Sequence, residues 1–214
     1  MSEDTFNHVV YSRNVLEFVT VAGEYCKLAE SAEQIDLKSL VSKLQKIVAL
    51  LYLKASMLPE VEEMLEEAPE KFVTEDDYDY LLRILKRKFG EHDAYYEVFD
   101  PMIQYSETPL PASLSENLTD IYQDLKDFIL AYRVGNLEVM NDALFECRKN
   151  FEDYWGQLLV NGLRAIHNLL YGGADLSEEN RFKIPKIQTE EEPEDEENPD
   201  WILKQQFKNF REEE

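Results

Sequence analysis

The chain has 214 residues and carries 45 Asp and Glu against 22 Lys and Arg, a formal net charge of −23. That balance excludes ordinary phosphate-backbone binding, which replaces counterions with clustered Lys and Arg, and docking on an anionic membrane surface. It leaves basic protein surfaces, metal cations and proteins that would otherwise bind DNA as partners, or simple solubility as the role of the charge.

Hydrophobic residues at 44% and aromatics at 12% provide a sizeable core, and only 7 glycines punctuate it, so long helices are expected. Cys26 and Cys147 sit in apolar helical runs with no CxxC spacing, as reduced thiols of a cytosolic protein do. The start, MSEDTFNH, lacks the features of a leader, and the most apolar run, Ile47–Leu53, is far short of a membrane span. A soluble, cytoplasmic protein is expected.

In chain order, Ser2 or Asp4 caps a first helix reaching about Glu30, with His8 in its capping turn. Asp36 caps a second, from Leu37 to about Leu58, whose seam of Leu37, Leu40, Val41, Leu44, Ile47, Val48 and Leu51 places it in the core. Pro59 ends it. Val61–Ala68, bracketed by Pro59 and Pro69, reads as a brief helix or turn. Thr74 opens a third helix with a capping-box start and acids in its first turn, and Gly90 stops it. Arg83, Lys86, Arg87 and Lys88 near its end form the chain's one basic cluster, complementing the helix dipole or contacting an acidic ligand or the chain's own acidic tail. Glu91–Asp100 reads as a short helix ended by Pro101, and Met102–Ala112 as an irregular connection.

Ser113 or Ser115 caps the next helix, with a capping box at Ser113–Glu116. Its stripe is Leu118, Ile121, Tyr122, Leu125, Phe128, Ile129 and Tyr132, and Asp120, Asp124 and Asp127 follow helical spacing on another face, one turn after Glu116. Gly135 and Asn136 make a stop and restart, so an antiparallel helix follows, running as far as Tyr171. Within it Gly156 and Gly162 permit a close neighbour or a kink, and Gly172-Gly173 ends it.

Composition then changes. In residues 174–200, seven of the eight residues Glu190–Glu197 are acidic, too little apolar surface to order the segment alone. Residues 201–211 read as a short amphipathic helix presenting Trp201, Leu203, Phe207 and Phe210, which either docks or serves as a detachable recognition peptide. The expected organisation is a bundle over 1–173, an acidic linker or tail over 174–200, and this piece over 201–211.

Walker A, GxGxxG, HExxH, GxSxG and paired ExxH patterns are all absent, so no enzyme class is indicated and no cofactor is implied. The positive candidate is a carboxylate set: Glu116, Asp120, Asp124 and Asp127, with Glu97, Asp100 and His92 or His167, offers hard oxygen ligands to a divalent cation. The same ladder also fits a solvated face or a protein contact. Like charges one turn apart repel, which calls for compensation from Arg133, Arg148 or Arg164. His167, among Leu163, Ile166, Leu169 and Leu170, is expected in the core.

The segments Tyr95–Pro101 with Thr119–Lys126, and Tyr154–Gln157 with Leu163–His167, resemble an uncharacterised bacterial family of all-helical proteins, a domain of unknown function, over about residues 5–172. The resemblance implies a helical bundle in the bacterial cytoplasm and brings no activity. Its acids and aromatics make Glu97, Asp100, Asp120, Asp124, Trp155 and His167 candidates for a shared internal site, or for a buried polar network fixing helix register.

The expected fold is therefore all-α, an irregular bundle of about six or seven helices. Its leading function is a non-enzymatic interaction module with an acidic surface and a protein partner. The alternatives are a metal- or small-ligand-binding bundle centred on Asp120 and Asp124, with or without enzymatic activity, and a DNA mimic that inhibits a basic protein. No oligomeric state follows from the sequence.

Overall fold

The structure, a computed structural model, describes residues 8–66, 69–96 and 111–177. It is all-α, with six α-helical segments among the described residues: α1 (Arg13–Glu30), α2 (Leu37–Ala55), α3 (Glu75–Phe89), α4 (Leu114–Arg133), α5 (Leu137–Asn150) and α6 (Gly156–Tyr171). α5 and α6 are joined through a π-turn, Phe151–Trp155, so they form one long rod and the rods number five. Among the described residues no helix is long and apolar enough to cross a membrane.

The caps explain most boundaries. Asp36 accepts from Ser39 N at 2.8 Å to start α2. Thr74 and Asp77 exchange hydrogen bonds in a capping box that starts α3. Asn136 accepts from Glu138 N and Val139 N, directly after Gly135 at φ 77°, a left-handed position that suits glycine. Ser113 accepts from Glu116 N, but Glu116 does not return the bond; it pairs with Lys86 at 2.7 Å. The box expected there is a single cap, reinforced by Asp93, which accepts from Ser113 Oγ, Ser115 N and Ser115 Oγ.

Three local expectations are corrected. The first helix begins at Arg13, after a 3₁₀ turn over Val9–Tyr11 for which His8 accepts from Val10 N. After Gly90 only a single 3₁₀ turn, Gly90–His92, precedes a strand: Ala94–Tyr96 (β1) pairs antiparallel with Pro111–Ser113 (β2), Tyr95 opposite Ala112. Tyr95 and Tyr96 suit a strand as well as a helix, and the pairing partner lies beyond the intervening residues. The segment after Pro59 is not helical either, and two buried carboxylates claim its amides (below).

α4 is the central rod, packed against α1, α3, α5 and α6. Phe18 and Phe128 (ring centroids 5.4 Å apart) and Trp155, itself 4.8 Å from Phe151, fill the middle of the core. Fully burying one such ring contributes about 2–3 kcal/mol. The buried Tyr25 hydroxyl donates to Leu118 O at 2.7 Å, which satisfies the one polar atom of that ring. Gly156 is required at the π-turn, because a Cβ there would strike the Phe151 carbonyl and ring. Gly162 lies against Leu114. The described chain ends packed: Leu176, beyond Gly173, is buried.

Candidate functional site

The acidic ladder of α4 does not behave as a solvated face. Asp120 is half-buried and accepts the Tyr78 hydroxyl of α3 at 2.6 Å and the Tyr154 hydroxyl of the π-turn at 2.5 Å. The π-turn's extra residue sets the register that brings Tyr154 to α4. Burial, then the Asp120 carboxylate itself, pushes both phenols well above their ordinary pKa, so neither is prepared as a nucleophile or base. Asp124 accepts from Asn150 at 2.9 Å, and burial raises its pKa against that hydrogen bond.

Asp127, 5% exposed, accepts from Phe72 N at 2.7 Å and Val73 N at 2.8 Å. On α5 the 1%-exposed Asp142 does the same for Met64 N at 2.8 Å and Leu65 N at 2.7 Å, and its neighbour Asn141 donates to Glu62 O. Two buried carboxylates thus seize four backbone N–H groups of residues 59–66 and 69–73, which lie as a non-helical strap along α4 and α5. Charge-assisted bonds of this kind are the strong ones, and they compete with helix formation for the same donors.

With its backbone held, the strap turns its acids outward. Glu60, Glu62, Glu63, Glu66 and Glu70 are exposed, and so are Glu75, Asp76 and Asp79 at the start of α3. Glu60 pairs with Arg148 at 3.0 Å; among the described residues the other seven have no cation within ion-pair distance. Met64, 50% exposed, adds apolar surface among them. Under the strap lies a cavity of about 10 Å³ between Lys71, Asp124, Asp127, Glu146, Cys147 and Asn150, room for one water. The Lys71 ammonium reaches Glu146 at 2.7 Å and is the positive charge of that spot.

Of the residues singled out in sequence, Asp120 and Asp124 occupy neighbouring turns but take separate neutral donors. Neutral groups, not arginines, compensate the ladder, and Arg148 instead pairs with Glu60 and Glu152. His167 is exposed and rests its ring on Tyr171 at 4.7 Å, correcting its expected place in the core; α6 turns it outward beside the buried Ile166. The His92 ring lies 3.2 Å from Asp175 O. Trp155 is wholly buried beside Phe18 and Phe151. Glu97, Asp100, Trp201, Phe207 and Phe210 lie outside the described residues. Among the described residues, no three His, Cys, Asp or Glu side chains are grouped as a metal centre requires. Both cysteines are buried, and burial pushes the Cys26 thiol up to about 12.

Most of the basic cluster of α3 is consumed internally: Lys86 pairs with Glu116, Arg87 with Glu33, and Lys88 donates to Glu33 O, while Arg83 is exposed and has no carboxylate within ion-pair distance among the described residues. It is not the chain's one basic cluster, because α2 holds Lys38, Lys43, Lys46 and Lys54 and no acid. Sequence reasoning missed Asp142, Asn141 and the strap. One signal was available: Asn141-Asp142 interrupts the apolar stripe between Met140 and Ala143-Leu144, where a polar pair inside a core face needs a partner.

The family described as Domain of unknown function (DUF5063) matches residues 9–172, and the chain belongs to it. A crystal structure of protein BF1032 from Bacteroides fragilis, a structural genomics target, is 44% identical, covers 77% of this chain and 96% of that one, and superposes with a TM-score of 0.69. No curated protein matches the chain.

Proposed function

We propose that this member of the family is a non-enzymatic, cytoplasmic protein-interaction module whose working surface is the acidic strap of residues 59–66 and 69–73 together with the first turn of α3, presented to a basic face of a partner protein. One observation carries the reading. The strap's backbone is pinned by buried Asp127 and Asp142 while its described glutamates stand exposed, and all of them but Glu60 lack a cation within ion-pair distance among the described residues. Holding like charges together in a fixed array costs self-repulsion that a flexible loop would relieve, and a cationic partner recovers that cost on binding. Pre-organisation also lowers the ordering entropy a partner must overcome. The raised phenols of Tyr78 and Tyr154 and the raised Cys26 thiol support the non-enzymatic half of the reading. Two buried, unpaired cysteines fit a reducing compartment.

The test is Glu62→Gln/Glu63→Gln/Glu66→Gln/Glu70→Gln, which removes charge and leaves the clamps intact. Parent and variant, both tagged, are used to capture proteins from lysate of the source cells over a salt series, with identification by mass spectrometry. The reading expects a partner with a basic surface that the parent retains at low salt, releases as salt rises, and that the variant does not retain. An identical set of captured proteins for both forms sinks it.

A further inference from the structure

We propose that the outward face of α2, with the groove it forms against α1, binds an acidic amphipathic helix of a partner protein. The apolar part is laid out at helical spacing: Ile47, Leu50 and Leu53 follow one another along α2 and Met57 continues the row in the turn just beyond it, and the last three are 40%, 53% and 42% exposed. Beside them a groove of about 330 Å³ opens at the α1–α2 seam, floored by Leu28, Ile35 and Ile47. A row of anchors at i, i+3 and i+4 beside a groove is what an amphipathic helix fills.

Charge selects the occupant. Lys43 and Lys46 flank the apolar row, both exposed, and among the described residues neither has a carboxylate within ion-pair distance. Two other cations nearby are already matched, Lys27 with Glu24 and Lys54 with Glu17. In a chain with twice as many acids as bases, Lys86, Arg87 and Lys88 of α3 are drawn into internal contacts, whereas Lys43 and Lys46 are left beside bare leucines. A partner helix with acids flanking its apolar stripe satisfies both features, while a basic one meets like charge. The strap is held by α4 and α5, so this face does not depend on the reading of the strap.

The experiment uses the full chain and a fluorescein-labelled peptide of about 15 residues, with Leu and Phe at i, i+3, i+4 and i+7 and Glu at most other positions. Anisotropy titrations compare parent, Lys43→Glu/Lys46→Glu and Leu50→Ser/Leu53→Ser, with melting curves to confirm that each variant folds. Saturable binding to the parent, weakened roughly tenfold or more by the charge reversal and likewise by the leucine pair, is expected. No binding to the parent, or unchanged affinity in the charge-reversed chain, overturns the proposal. So does a sedimentation profile in which the parent self-associates and Lys43→Glu/Lys46→Glu is monomeric, because that outcome gives the face to a second copy. The strap's glutamine variant should bind the peptide as the parent does, so the two readings can fail separately.

Discussion

The outward face of α2 and the strap of residues 59–66 and 69–73 follow one another in the chain and are built in opposite ways. The strap has no helix or sheet ladder, and its backbone is fixed from outside by carboxylates of α4 and α5. The face of α2 has a self-sufficient backbone, and its side chains are what stand unmatched. An extended segment owes its conformation to specific buried residues, so it can be released by changing one of them. A helix face can be rewritten residue by residue with little effect on its own folding. The strap is therefore the fragile region of the molecule, and the α2 face the tolerant one.

The largest expected effect is at Asp142. Asp142→Ala removes three bonds to a buried carboxylate, from Met64 N, Leu65 N and the Asn141 amide, and leaves the Met64 and Leu65 amides unpaired, a loss of about 3 kcal/mol. For a bundle of this size that lowers Tm by roughly 6–12 °C. Hydrogen exchange should show the Met64 and Leu65 amides losing protection before those of α1 and α2. Asp127→Ala follows at about 2 kcal/mol, with protection lost at Phe72 and Val73. Uniform loss of protection over all helices, with no early release of the strap, would break the contrast.

How much of this was legible follows from the range of the interactions. Caps at Asp36, Thr74 and Asn136, and the stop at Gly135, act over three residues or fewer, and the sequence displays both partners. The central stripe Leu118–Tyr132 and the single rod from Leu137 to Tyr171 are periodic over many turns, so they too were readable. The strap was not, because its determinants lie 54 to 78 residues away in Asp127 and Asp142, and Pro59 and Pro69 marked only its ends. The β1–β2 pair was hidden for the same reason. The ladder's spacing was legible and the choice among its meanings was not: Asp120, Asp124 and Asp127 face α3, Asn150 and the strap, which helical periodicity alone cannot distinguish from water.

A smaller effect sharpens the comparison where the two regions adjoin. Glu17 of α1 accepts from Lys54 of α2 and from Arg13, and those bonds, Lys54 first, hold its carboxyl down to about 2 from an ordinary 4.5. A carboxylate lowered in the folded state contributes stability that is present above the unfolded pKa and lost as pH falls through the folded one. Glu17→Gln should thus narrow the stability gap to the parent between pH 4.5 and 2 and leave the gap constant above pH 5. Melting curves across that range decide it; a gap unchanged down to pH 2 would remove Glu17 as a link between the helices.

The smallest effect on folding is expected at Lys43 and Lys46, and its smallness is the informative part. Both side chains are exposed and unpaired among the described residues, so Lys43→Glu/Lys46→Glu breaks no ion pair; it adds two acids to a chain already at −23. Long-range repulsion should cost the fold no more than about 0.5 kcal/mol, a Tm change small beside that of Asp142→Ala. If stability falls by several times that amount, Lys43 and Lys46 are holding the bundle together, and the α2 face is not the tolerant region described above. If stability holds while the acidic peptide is lost, the lysines serve recognition alone. The same substitution then separates the regions cleanly: α2 gives up a partner and keeps its fold, where the strap at Asp142 loses its conformation first.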